Sequence, residues 1–256
     1  MKNQQTVIGL MAALLTLLLV IPGAQAADVS IGGGIGIAPD YEGSEDYEAV
    51  PVPFANVTWS NGMFFNLLGL KAKANLIPSN FWRLGPIYNY RAKRSDVDNN
   101  AVDAMNSVSD ANELGLFGGF DYQNWFVSLE FLMDTGNAHE GWYSTLKGGY
   151  KWPISSSWSL SIGAHTTYAD EDYMETYFGV DANNVGASGL SFYDPDGGFK
   201  DVGLNLGANY IITNTWSARA LGSYSLLVGD ADDDSPVVNE GDEGQFFGAL
   251  MVVYTF

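Results

Sequence analysis

The last eleven residues place Phe246, Gly248, Leu250, Val252, Tyr254 and Phe256 at alternate positions and end the chain on an aromatic ring. Period two is the spacing of side chains that share one face of a β-strand. The same spacing recurs upstream. Trp158, Leu160, Ile162, Ala164, Thr166 and Tyr168 oppose Ser159, Ser161, Gly163, His165 and Thr167. Trp142, Ser144, Leu146, Gly148, Tyr150 and Trp152 oppose Tyr143, Thr145, Lys147, Gly149 and Lys151. Val202, Leu204, Leu206, Ala208, Tyr210 and Ile212 oppose Asp201, Gly203, Asn205, Gly207 and Asn209. Segments of about ten residues with one apolar face and one polar or glycine face have the length and alternation of tilted membrane strands. A single such segment also fits the edge of a soluble sandwich, so the connections have to decide.

The N-terminus gives the destination. Lys2 precedes an apolar run from 7 to 21, followed by Pro22 and an Ala24-Gln25-Ala26 cleavage signal, so residues 1–26 are expected to be a removed signal peptide. That run is shorter than the roughly 20 residues a bilayer-crossing helix needs, and nothing later approaches one. An exported chain without such a helix crosses a membrane only as a closed barrel, because lipid satisfies no unpaired backbone edge. Residues 27–256 are expected to form one barrel domain.

Short turns at 60–62, 78–80, 122–124, 153–157 and 213–215 alternate with longer loops near 39–46, 95–111, 134–141, 170–198 and 230–243. Short turns at one rim and long loops at the other are the outer-membrane arrangement. A further tight reversal at 69–71 gives an all-β, antiparallel transmembrane β-barrel of about 12 strands with both termini on the short-turn side; without it there are ten. Trp59, Trp82, Trp125, Trp152, Trp158 and Trp216 sit beside short turns and only Trp142 beside a long loop, the placement of an interfacial aromatic girdle.

Charge has an address in this scheme. The chain carries 30 acidic against 11 basic side chains, a net −19, which excludes sequence-independent attraction to nucleic acid. The stretches 40–48, 96–110, 134–140, 170–196 and 230–243 hold 25 of the acids and no Lys or Arg, so the excess belongs to one rim, where divalent cations and lipopolysaccharide are the expected partners. The remaining acids mostly share strand faces with basic residues. On the expected strands 81–93 and 113–121, Arg91 with Glu113 and Arg83 with Asp121 both sum to 204, one antiparallel register. Glu130 and Lys147 face each other across the next hairpin. These six are read as structural charge pairs lining the lumen.

Catalytic and metal motifs are few. The absence of cysteine removes disulfides, thiolate metal sites and cysteine nucleophiles. His165 shares its face with Ser161 and Thr167, a weak signal for a serine hydrolase or acyltransferase because spacing places no orienting acid. His139 stands in a loop beside Glu140. Asp230, Asp232 and Asp234 begin like an EF-hand loop, but Ser235 and Gly241 occupy its Gly and Glu positions. No enzyme activity, catalytic residue, metal site or cofactor is expected.

An ordered set of motifs carries a resemblance. Ala38-Pro39-Asp40-Tyr41-Glu42-Gly43-Ser44, Val50-Pro51-Val52-Pro53, Leu84-Gly85-Pro86 with Tyr90, Tyr177-Phe178-Gly179-Val180, and Gly229-Asp230-Ala231 through Ser235-Pro236-Val237-Val238 with Gln245 are similar to the MipA/OmpV family. The similarity runs from residue 38 to the terminal Phe256. One departure is the Asp232-Asp233-Asp234 run, a residue longer than the usual loop. The resemblance implies an outer-membrane barrel without catalytic residues. It also implies a scaffold bringing a murein lytic transglycosylase to a murein synthase on the periplasmic side, or a surface-adhesion or porin-like role in other members. Tyr254 and Phe256 resemble the C-terminal assembly signal of outer-membrane barrels. The alternative function is a diffusion channel with a cation bias.

Overall fold

A computed structural model describes residues 27–232 and 234–256; the expected signal peptide lies outside the described residues. Twelve antiparallel strands close into one barrel: β1 (Ala27–Pro39), β2 (Tyr47–Trp59), β3 (Phe64–Leu68), β4 (Lys71–Asn75), β5 (Trp82–Arg91), β6 (Ala111–Tyr122), β7 (Trp125–Asp134), β8 (Trp142–Pro153), β9 (Trp158–Ala169), β10 (Gly198–Ile211), β11 (Trp216–Leu227) and β12 (Gly244–Thr255). Each strand pairs with its sequence neighbour, and β12 returns to β1 over eight residue pairs from Ser30↔Thr255 to Ile37↔Gly248. The reversal at Gly69 and Leu70 is real, which makes the count twelve rather than ten; Gly69 adopts φ +58° there, a conformation that costs glycine little.

The alternation points outward. Trp125, Leu206 and Leu250 are each about 60% exposed or more, whereas Leu132 and Val253 on the opposite parity are fully buried. An apolar outer face and a filled, more polar interior are what lipid and water demand of the two sides of a membrane barrel. Among the described residues no helix is long and apolar enough to cross a membrane. Ring pairs Trp82–Phe120, Trp125–Tyr150, Trp158–Tyr210 and Trp216–Tyr254, with centroids 4.7–5.0 Å apart, encircle the short-turn rim and form the expected girdle.

The wall is uneven in height. β3 and β4 have five residues each, between a β2 of 13 and a β5 of 10, so the wall is low above Gly69. Pairing of β2 with β3 begins only at Phe54, just below Pro51 and Pro53. The Pro53 carbonyl accepts from Gly69 N at 2.9 Å, so this is the edge toward which the prolines, lacking an N–H, are turned. Proline is tolerated on just such an unpaired edge.

At the other rim the long loops form a folded cap. It contains the short helices α1 (Asn100–Asp103), α2 (Glu171–Phe178), α3 (Ala182–Ser188) and α4 (Pro236–Asn239). Tyr41, Val97, Val102, Met105, Val180 and Val237, drawn from four different loops, make its own apolar core. The acids there do more than meet solvent. Asp170 and Asp181 accept backbone N–H groups at the starts of α2 and α3, and Asp134 accepts from Gly136, Ala138 and His139. Carboxylates at helix N-termini satisfy orphan donors and oppose the helix dipole.

Candidate functional site

The cap sends α2 into the lumen. Asp170 fixes its start, and the helix turns Tyr173, Met174, Tyr177 and Phe178 inward, all nearly or fully buried. They pack on Ile87, Leu132, Tyr143 and Ala169 of the wall. The long-loop end of the lumen is therefore filled on the β5–β9 side.

A charge network ties this plug to the barrel. Glu113, with no exposed surface, accepts from Arg91 Nε at 2.8 Å, Asn89 Nδ2 at 2.6 Å and the Tyr143 hydroxyl at 2.7 Å. The Arg91 guanidinium lies 5.1 Å from the ring centroids of both Tyr173 and Tyr177, within cation–π range. Its Nη1 is 3.4 Å from Glu42 Oε1. Glu42 also accepts from the Tyr173 hydroxyl at 2.7 Å and from Lys200 Nζ at 3.1 Å. Burial would raise the Glu42 pKa, but Lys200 and Arg91 outweigh it and pull the carboxyl down to about 2. Burial pushes the Tyr173 hydroxyl well above its ordinary pKa, so it meets Glu42 as a neutral donor. A register shift between Phe199 and Asp201 lets Lys200 and Asp201 both turn inward, where Lys200 Nζ reaches Asp201 Oδ2 at 2.7 Å. Re-aiming a side chain is a usual consequence of a β-bulge.

The expected lumen pairs meet the structure unevenly. Arg91 lies beside Glu113, and Arg83 Nη2 is 3.2 Å from Asp121 Oδ2. The register, however, joins Asn89 to Glu113 and Arg91 to Ala111, a sum of 202 instead of 204. The arginines reach their acids diagonally, because a long side chain spans two residues along a strand. Glu130 and Lys147 are two residues out of register, opposite Thr145 and Ser128, and no ion pair joins them. The partners of Glu130 are Lys71 at 3.1 Å and Lys73 at 3.0 Å, reached across the lumen from a non-neighbouring strand.

The histidines have structural surroundings. His139 is buried, 3.3 Å from Glu113 Oε1, with its ring 5.1 Å from that of Tyr173. His165 finds neither Ser161 nor Thr167. Its Nε2 is 3.2 Å from Ser225 Oγ on β11 and its Nδ1 is 2.8 Å from Asn205 Nδ2. Among the described residues no group of three or more His, Asp or Glu side chains converges as metal ligands.

Of the separated motifs of the resemblance, 50–53 and 84–86 with Tyr90 lie on β2 and β5 of the wall, and the other three meet in the cap. Pro39 ends β1, and Asp40 Oδ2 accepts from Asp98 N at 2.9 Å. Gly43 takes φ +99° and donates to Gln245 Oε1 at 3.1 Å, while Gln245 Nε2 returns to Ser44 O. Ser235 Oγ donates to Phe178 O at 2.7 Å, and Pro236 opens α4. Gly179 ends α2, and Asp230 Oδ2 accepts from Asp196 N at 2.9 Å.

Residues 31–256 match the family model described as MltA-interacting protein MipA. The chain belongs to the MipA family. The MltA-interacting proteins of Escherichia coli K12 and Shigella flexneri are 26% identical to it over 224 residues, covering 84% of this chain and 86% of each relative. Among solved structures, the NalP translocator domain from Neisseria meningitidis aligns with 99% of this chain and 96% of its own at 11% identity and a TM-score of 0.47. A NanC porin aligns with 89% and 100% at 10% identity and a TM-score of 0.44. This MipA-family chain is an outer-membrane β-barrel.

Proposed function

We propose that this MipA-family barrel is a non-enzymatic scaffold whose short-turn rim, including residues 153–157 and the chain termini, binds a murein lytic transglycosylase and through it a murein synthase. The family match carries this reading, since the relatives are named for interaction with MltA. The plug on the β5–β9 side of the lumen and the ordered cap support binding over conduction. The His165 surroundings support a non-enzymatic role: Asp201 Oδ1 lies 3.7 Å from Nε2, the same nitrogen that meets Ser225, whereas a serine-activating histidine needs its acid behind Nδ1. Exposed acids at the long-loop rim, such as Asp96, would meet lipopolysaccharide through divalent cations. Capture of murein enzymes from detergent-solubilised membranes by the intact barrel tests the scaffold, and their absence from the captured material overturns it.

A further inference from the structure

Beside the plug, on the β10–β12 and β2 side, the lumen keeps a cavity of about 340 Å³, at the small end of ligand pockets. Four buried side-chain polar atoms among the described residues lack a hydrogen-bond partner: Tyr41 Oη, Arg94 Nε, Tyr177 Oη and Asp201 Oδ1. All four residues line this cavity, and each is more than nine-tenths buried. Buried polar atoms are nearly always satisfied, so four exceptions around one void mark a place built for a polar occupant.

Four acids (Asp40, Glu42, Glu48, Asp201) and four bases (Arg91, Lys93, Arg94, Lys200) line the cavity, so its sign is set by the charge left unmatched. Arg91 and Lys200, which also line the cavity, are each matched by two carboxylates. Arg94 is not. Its Nη1 donates to Tyr177 O at 3.1 Å, and no carboxylate lies within ion-pair distance. An unpaired buried cation is costly. Burial lowers the Arg94 pKa and pushes the Tyr41 hydroxyl up to about 12 and that of Tyr177 upward, so both tyrosines stay neutral O–H donors. Ser44 stands beside the Tyr41 hydroxyl. We propose that the cavity binds a small oxyanion, a carboxylate or phosphate group, held by Arg94, Tyr177 and Tyr41, with Asp201 accepting a hydroxyl of the same ligand.

The full barrel in dodecyl maltoside micelles is titrated calorimetrically with glucuronate, with inorganic phosphate and, separately, with phosphatidylglycerol added to the micelle. Saturable binding in any arm supports the site. The soluble arms indicate a free anion, and binding of phosphatidylglycerol alone indicates a lipid headgroup. Arg94→Gln is expected to weaken binding at least tenfold and Tyr177→Phe severalfold, with Arg219→Gln elsewhere on the lumen wall unchanged. If Arg94→Gln does not fold, Tyr177→Phe carries the comparison. No saturable binding in all three arms, or unchanged affinity in the altered proteins, overturns the proposal. Neither result bears on the scaffold role of the opposite rim.

Discussion

Lys200 Nζ lies 3.1 Å from Glu42 Oε1, joining the tenth strand of the barrel to the loop after its first. Glu42 also meets Arg91 and the Tyr173 hydroxyl, so one carboxylate links wall, loop and plug.

This linkage gives the cap a pH dependence. Glu42 is held at about 2 against an ordinary value of 4.5. A depressed folded-state pKa contributes stability that is present above the ordinary value and is lost as pH falls toward 2. Hydrogen-exchange protection in residues 171–178, taken relative to the unfolded-chain rate at each pH, should fall between about pH 4.5 and pH 2, and Glu42→Gln should abolish that dependence while destabilising the cap by about 1–3 kcal/mol. Protection that stays constant over that range in the unaltered protein would contradict the assignment.

The Ser235 hydroxyl bridges two family motifs through Phe178 O. Ser235→Ala leaves that buried carbonyl short of a donor and should cost about 1–3 kcal/mol. Limited proteolysis should then cut the 230–243 loop faster while the strands stay protected.

Much of the wall was legible because period two and polar turns encode strands directly; the reversal at Gly69 and the tryptophan girdle followed from local spacing. Register was less legible. The β5–β6 connection is long, so no turn geometry fixes the pairing, and Arg91 reaches Glu113 two residues off the expected sum. Lys71, Lys73 and Glu130 meet across the lumen from strands that do not pair, which no hairpin arithmetic finds. The aromatic content of the 170–198 loop leaves open whether it turns inward, and its helical signal is Asp170 as an N-cap followed by Tyr173, Met174, Tyr177 and Phe178 at helical spacing. The low wall was likewise announced by Pro51 and Pro53, residues that suit an unpaired edge.

Phe256 is 73% exposed, although its backbone N donates to Val29 O at 3.0 Å. A side chain with so little buried surface contributes little to the finished fold, so its proposed role is in assembly. Phe256→Ala should lower the amount of barrel in the outer membrane, measured by fractionation, while the Tm of the purified protein changes by no more than a few degrees.

The α2 plug and the cap over it separate binding from conduction. Planar-bilayer recordings of the purified barrel should be silent, and removing residues 171–188 should open a steady conductance. Steady currents from the intact chain would favour the channel reading.

The scaffold claim is tested most directly by immobilising the intact barrel in detergent and measuring binding of purified MltA. Saturable binding is expected, weakened at least tenfold when the turns at 153–157 and 213–215 are replaced by glycine-serine linkers and unchanged when residues 171–188 are removed. No binding, or binding that depends on the long-loop rim instead, would contradict it.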